Sequence, residues 1–163
     1  MALKRVVSFF LISFLLAGPV CRAEEFAVSP ESSAVPVPAK APVTGHWSDG
    51  WYEGASGYDQ ALEEYKRTNK PMVVYMSVGW CPYCRKFEKG VLSSPVVQNM
   101  LRDKIKVVID PEAGSRENAI AFQYGIRGFP SFFLHAPQSG KVVQLSTGVS
   151  PEQFVEFFNQ VLK

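Results

Sequence analysis

Hydrophobic residues along the chain fall into short runs that alternate between strand-like and helix-like spacing. The apolar run at 72–76 and the β-branched run at 105–109, which only Lys106 interrupts, predict two buried strands. Two further apolar runs, at 132–134 and 142–145, flank the turn 137–140 and predict a β-hairpin. These four strands are the framework of the predicted sheet.

Helical spacing of apolar residues connects and follows these strands. It predicts helices at 58–69, from about Cys81 to Leu101 with a break or kink at Pro95, at 117–124, and from Pro151 to the C-terminus. Ser150 is a suitable N-cap for the last helix, and Phe154, Phe157 and Phe158 are expected to be its core residues. The alternation predicts an α/β fold, with a mainly parallel sheet covered on both faces and an antiparallel hairpin at one edge.

The first 23 residues have the pattern of a secretory signal peptide. A basic pair precedes the apolar run 6–17, whose helix would span only about 18 Å, against a hydrocarbon core of about 30 Å. Small residues at the −3 and −1 positions predict cleavage after Ala23, and therefore a periplasmic or secreted protein. An uncleaved anchor, or a lipoprotein acylated at Cys21, are the alternatives.

A change of composition separates a linker from a folded domain. Between Ala27 and Val43 the sequence contains four prolines and no aromatic residue, too little apolar surface to offset the entropy of ordering. Residues 24–45 are therefore predicted to be a Pro/Ala/Ser-rich linker, and residues 46–163 a single domain.

Cleavage of the signal peptide changes both the charge and the cysteine count. The full chain has a net charge of +2, but removing Lys4, Arg5 and Arg22 from its 17 basic residues leaves 14 against 15 acidic residues. The mature chain then carries a charge of −1, which gives no indication of a nucleic-acid partner. The same cleavage removes one of three cysteines and leaves one pair, Cys81 and Cys84.

This cysteine pair lies where a buried strand gives way to a helix. A spacing of three residues lets the two sulfurs reach disulfide distance, and Pro82 stiffens the turn between them. Unpaired N–H groups at the helix start favour a thiolate at Cys81, with Arg85 and Lys86 adding positive potential. Cys84, one turn deeper, is expected to be less exposed. Cys81 would attack a substrate disulfide and Cys84 would release the product.

Other uses of the pair are weighed against this one. A structural disulfide around so short a loop adds little stability. A zinc site needs more ligands, and the mature chain offers only His46 and His135, which are expected to be surface or packing residues. Copper(I) binding by the two thiolates, as in a copper chaperone, is a further alternative.

A second motif ends in Gly128-Phe129-Pro130 at the mouth of a predicted strand. Proline cannot donate a hydrogen bond to the sheet there, and the bond before a proline is the one that can be cis. A cis Phe129–Pro130 bond would turn the Phe129 backbone outward, with its polar groups free for an extended peptide. An ordinary trans proline at a strand start is the alternative.

Together these motifs resemble the thioredoxin family in order and spacing. The matching residues are the strand 73–76, Trp80-Cys81-Pro82-Tyr83-Cys84, Ile109-Asp110 and the segment 124–130. The resemblance covers roughly 47–163, and the segment 51–71 further resembles an exported branch that includes the C-terminal domain of the transmembrane electron-transfer reductase. It implies a thioredoxin fold, with a central mixed β-sheet flanked by helices and an N-terminal helical extension.

The resemblance also implies an activity and a set of site residues. It implies a thiol–disulfide oxidoreductase, a reductase rather than an oxidase, with Cys81 as nucleophile and Cys84 as resolving cysteine. Substrate would lie against Trp80, Pro82, Tyr83, Phe129 and the cis-proline Pro130. No cofactor is expected beyond the redox-active disulfide Cys81–Cys84. Protein disulfides would be the substrates, and a membrane redox partner would recharge the dithiol. A disulfide isomerase is an alternative, but isomerases usually dimerise, and this chain is expected to be a monomer.

Two positions depart from the thioredoxin pattern. Tyr75 stands where thioredoxins carry a buried acid beneath the cysteines, so Glu88 or a water would have to accept the proton of the resolving thiol. The Pro82-Tyr83 dipeptide is more typical of glutaredoxins and some periplasmic isomerases. The reduction potential therefore stays open across the ~150 mV that separates thioredoxin from strong oxidants.

Overall fold

A mixed five-stranded sheet organises residues 46–163, the part of the chain that the computed structural model describes. The predicted signal peptide (1–23) and linker (24–45) lie outside the described residues. In chain order the elements are β1 (Tyr52–Glu53), α1 (Gly54–Thr68), β2 (Met72–Met76), α2 (Pro82–Phe87), a π-helical segment (Glu88–Leu92), α3 (Pro95–Leu101), β3 (Ile105–Ile109), α4 (Ser115–Gln123), β4 (Ser131–Ala136), β5 (Lys141–Leu145) and α5 (Pro151–Val161).

The strand order is β1-β3-β2-β4-β5. Strands β1 and β2 run parallel to β3, whereas β4 runs antiparallel to both β2 and β5. Only two of these four pairings are parallel, so the expectation of a mainly parallel sheet is wrong and the implied mixed sheet is confirmed. The reason is that Ser131, at the start of β4, pairs with Met76 at the end of β2. The chain thus re-enters the sheet at the carboxyl end of β2 and runs back along it.

The strands match the apolar pattern better than the helices do. Strands β2 and β3 coincide with the predicted runs, but α1 begins four residues before the predicted start. Its first free N–H, on Ala55, donates to Glu117 Oε1 at 2.9 Å, a contact across 62 residues of sequence. The predicted helix 81–101 is three pieces, and Pro95 is the first residue of the last piece, α3.

Two hydrophobic clusters fill the two faces of the sheet. On one face α1 and α4 pack over side chains such as Val74, Val107 and Phe133. On the other face α2, α3 and α5 pack over side chains such as Tyr75 and Phe132. Within residues 46–163 no helix is long and apolar enough to cross a lipid bilayer.

Helix α5 closes the second face. The Ser150 side chain accepts from the Gln153 N–H while the Gln153 side chain accepts from the Ser150 N–H, so the predicted cap is part of a full capping box. Phe154 and Phe158 are completely buried, but Phe157 is 36% exposed, so its predicted core position is wrong. Phe157 lies about 100° around the helix from Phe158, which turns it away from the sheet.

Phe154 and Phe157 provide a matched pair for testing the packing of the core. We expect Phe154→Ala to lower the free energy of unfolding by about 3–5 kcal/mol, because it removes a fully buried ring and leaves a cavity. Phe157→Ala, on the same helix, should cost about 1 kcal/mol because its ring is already partly in water. Urea denaturation of both variants measures the difference. Equal losses would contradict the packing of α5.

Candidate active site

Both cysteines lie just beyond the carboxyl end of β2, at the start of α2. Cys81 is the N-cap residue of α2, with extended backbone, and Pro82 occupies the first turn. The Cys81 Sγ atom accepts a hydrogen bond from the Cys84 backbone N–H at 3.1 Å. Cys81 thus takes the place of the serine or aspartate that usually caps a helix, and a thiolate there receives the N–H and the helix dipole directly.

The two thiols differ more in their surroundings than in their exposure to solvent. Cys81 is 3% exposed and Cys84 1%, and Val78 and Phe129 pack against the pair. Cys84 is the less exposed of the two, as expected, but the difference is very small. Burial, and then the neighbouring Cys81 thiol, raise the pKa of Cys84 to about 11. Near neutral pH Cys84 is consequently a thiol and must lose a proton before it can attack.

A polar cluster lies beneath Cys84 in an otherwise apolar layer. Glu88 Oε1 accepts from the Tyr75 hydroxyl at 3.0 Å and from the Ser77 hydroxyl at 3.0 Å. The Ser77 hydroxyl also hydrogen-bonds with Cys84. Burial raises the pKa of Tyr75, so the phenol stays a donor. A carboxylate therefore reaches the place beneath the cysteines from the helix side, with Ser77 between it and the thiol.

The Phe129–Pro130 peptide bond is cis, and Phe129 packs against the cysteine pair. Ser131 fixes the preceding turn, since its Oγ donates to the Gly128 carbonyl at 2.8 Å. Within residues 46–163 the Phe129 backbone makes no hydrogen bond. The loop therefore presents free polar backbone groups next to the thiols.

Aromatic side chains form an exposed rim around the pair. Trp80 is 63% exposed and Tyr83 72%, fractions high enough to leave both rings available for contact. Trp80 is nevertheless held in place, because its Nε1 donates to Glu112 Oε2 at 2.9 Å and its ring meets Phe129 edge-on with centroids 6.4 Å apart. Pro82 is exposed between them. All the residues predicted for the site thus come together at one end of the sheet.

Two residues of this arrangement were missed by the sequence reasoning. Ser77 follows directly on the buried strand β2, and only its place beside a cysteine motif could have suggested it. Glu112 is 32 residues from Trp80 and carried no signal at all.

The histidines take no part in this site. His46 is exposed at the start of the described residues. His135 is half-buried on β4, where its Nε2 lies 2.6 Å from the Tyr124 hydroxyl, and burial lowers the pKa of His135 to about 4. Across residues 46–163 no group of three or more His, Cys, Asp or Glu side chains is placed to hold a metal ion.

Comparison with known proteins identifies the same family as the sequence motifs do. A family model for the thioredoxin-like domain matches residues 58–162. The thiol:disulfide interchange protein DsbD of Haemophilus ducreyi is 25% identical over 123 residues, which cover 74% of this chain and 21% of that protein. The chain therefore spans about a fifth of the length of that curated relative.

Solved structures show the same fold. A thioredoxin from Thermus thermophilus superposes with a TM-score of 0.58 at 24% identity, covering 68% of this chain and 85% of that one. The oxidised C-terminal domain of DsbD from Neisseria meningitidis superposes with a TM-score of 0.55 at 18% identity, covering 68% and 97%. With the family model matching more than half of its residues, the chain belongs to the thioredoxin-like domain family.

Proposed function

We propose that the protein is exported and reduces disulfides of other exported proteins through the Cys81–Cys84 dithiol. The observation that carries the proposal is the capping of α2 by the Cys81 sulfur, 3.1 Å from the Cys84 N–H and beside the cis Phe129–Pro130 bond. Export is inferred from residues 1–23, and the reducing direction from the resemblance to the electron-transfer branch.

The reaction uses two electrons from the dithiol. The Cys81 thiolate attacks one sulfur of the substrate disulfide, so that a Cys81–substrate disulfide forms and the other substrate sulfur leaves as a thiolate. Cys84 then loses its proton and attacks Cys81 Sγ, which forms the Cys81–Cys84 disulfide and releases the second substrate thiolate. The protein is oxidised and the substrate reduced, and no further cofactor is proposed.

Release of the product depends on removing the Cys84 proton. Burial holds the pKa of Cys84 at about 11, so water at neutral pH is a poor base for it. We assign Glu88 as the proton acceptor, acting through the Ser77 hydroxyl 3.0 Å from its carboxylate. This arrangement supplies the function for which Tyr75, in the usual position of the acid, is unsuited.

The substrate binds as an extended peptide along the cis-proline loop. Its backbone would pair with the free N–H and C=O of Phe129, in the manner of an added strand. Trp80, Pro82 and Tyr83 would cover its apolar side chains. The linker 24–45 would give the domain enough reach to meet a membrane redox partner, which restores the dithiol.

The reduction potential of the Cys81–Cys84 pair tests the direction. We expect about −270 mV, the potential of a reductant, rather than the roughly −120 mV of a strong oxidant, whose reduced form is specially stabilised. Equilibration with glutathione or dithiothreitol buffers, followed by alkylation of free thiols, measures it. A value near −120 mV would contradict the proposal, and so would stoichiometric copper(I) uptake with negligible dithiol turnover.

The exported protein itself supplies the control. Protein recovered from the exported fraction after acid trapping should begin at Glu24 and carry two alkylated cysteines. A chain that keeps residues 1–23 would contradict cleavage of the signal peptide. A fully oxidised cysteine pair would contradict the reducing role.

A further inference from the structure

A cavity of about 770 Å³ opens beside the cis-proline loop, and Trp80 is not among its lining residues. Its floor is apolar, with Phe87, Val91 and Pro130, and the turn before α5 also lines it. Neither cysteine lines it, whereas Tyr83 and Phe129 form its border towards the thiols. The volume is that of an ordinary ligand site, and most of it plays no part in the thiol exchange.

Charge in this cavity has one sign. Lys86, from α2, and Arg127, from the loop before the cis-proline, both line it and are both exposed. Neither forms an ion pair with any other side chain of residues 46–163. No acidic side chain lines the cavity. Glu88, the first residue after α2, directs its carboxylate to Tyr75 and Ser77 instead.

Hydrogen bonds among its own residues hold one wall of the cavity in place. Gln144 Nε2 donates to Ser131 Oγ at 3.2 Å, and Ser131 Oγ donates to the Gly128 carbonyl, so the polar wall is held by its own hydrogen bonds. Two unpaired cations above an apolar floor fit a side chain with a short alkyl stem and a carboxylate.

We infer that this cavity recognises acidic side chains that flank the reacting cysteine of the substrate polypeptide, with Lys86 and Arg127 as the specificity-determining residues. The inference rests on the proposed function and names its substrate class. The occupant is a polypeptide because the cavity begins beyond Tyr83 and Phe129. A disulfide attacked at Cys81 reaches it only through residues that extend on from the cysteine.

Three peptide disulfides test this inference. Each is a symmetric dimer joined through one cysteine, with glutamate, glutamine or lysine at the flanking positions. The reduced full-length protein should consume the glutamate peptide about fivefold faster than the glutamine peptide, and the lysine peptide more slowly still, which is the size of effect that exposed charge pairs give. The second-order rate constant is measured from the release of peptide thiol, at low salt and at 1 M salt, where the preference should shrink.

Charge-reversed variants separate the cavity from general electrostatics. Lys86→Glu/Arg127→Glu should invert the order of the three peptides. Lys89→Glu/Arg102→Glu makes the same change of net charge at two exposed residues that do not line the cavity, and should keep the wild-type order. Because ratios between peptides are compared, a change in the intrinsic reactivity of Cys81 cancels.

The outcomes are distinct. Equal rates for all peptides, or an order that changes equally in both double variants, would overturn the inference while leaving the proposed reductase activity intact. If glutathione disulfide were reduced as fast as the glutamate peptide, with the same dependence on Lys86 and Arg127, the polypeptide assignment would be wrong. If the protein reduced neither the peptides nor bis(2-hydroxyethyl) disulfide, that result would instead contradict the proposed function.

Discussion

We expect disulfide reduction to fall to the uncatalysed rate when Cys81 is replaced by serine. The substitution removes the nucleophilic sulfur but leaves an oxygen that can accept the Cys84 N–H, so the cap of α2 is kept. Turnover of insulin disulfides should therefore disappear with little change in the thermal unfolding midpoint. Activity retained by Cys81→Ser would show that another group starts the exchange.

The matched variant is Cys84→Ser. It keeps the nucleophile and removes the thiol that breaks the mixed disulfide, so the first step proceeds and the second cannot. We expect one covalently bound substrate molecule per protein, visible as a higher-mass band on a non-reducing gel and absent after reduction. No such adduct should form with the Cys81→Ser/Cys84→Ser protein. An adduct through Cys84 in the Cys81→Ser protein would reverse the assignment of the two cysteines.

Glu88→Gln should slow the second step by about a hundredfold, within the range of general acid–base effects. The amide oxygen can still accept from the Tyr75 and Ser77 hydroxyls, so the shape of the cluster is kept while its base is lost. Attack by Cys81 should continue at the wild-type rate, so that the mixed disulfide accumulates. Rapid-quench separation of free, mixed-disulfide and oxidised protein measures the two steps.

The pH profile distinguishes loss of a proton acceptor from structural damage. The deficit of Glu88→Gln should be largest near neutral pH and should shrink as the pH approaches about 11, the pKa of Cys84, where solvent removes the proton directly. Ser77→Ala should show the same profile. Glu152→Gln, at an exposed acid of α5, should behave as wild type. A deficit that stays constant with pH would mean that Glu88 only supports the fold.

Local patterns predicted the parts of the molecule that local forces determine. Strands β2 and β3 were identified to the residue because every position in their apolar runs, apart from Lys106, is suited to burial between two layers. The cysteine pair was identified because its chemistry depends on three consecutive features of the chain: a strand end, a proline and a helix start.

Contacts between distant segments decided what the pattern could not show. The start of α1 depends on Glu117, and the orientation of Trp80 depends on Glu112, both far along the chain. Glu88 was recognised as a possible acid, but its link to Cys84 runs through Ser77. A short serine after a strand gives no pattern of its own. Phe157 was wrongly assigned to the core because the local pattern does not show which of two neighbouring faces of α5 packs on the sheet. That choice depends on the contacts of α5 with distant segments.

The shortness of β1 bears on how the domain avoids self-association. This strand lies at one border of the sheet, pairs with β3 through only Tyr52 and Glu53, and ends where Gly54 adopts a left-handed backbone (φ +63°) that turns the chain into α1. A strand from another molecule that approached this border would find two residues of backbone and then a helix. Borders of this kind offer too little template for intermolecular sheets to grow, and so protect a concentrated protein from aggregation along this side.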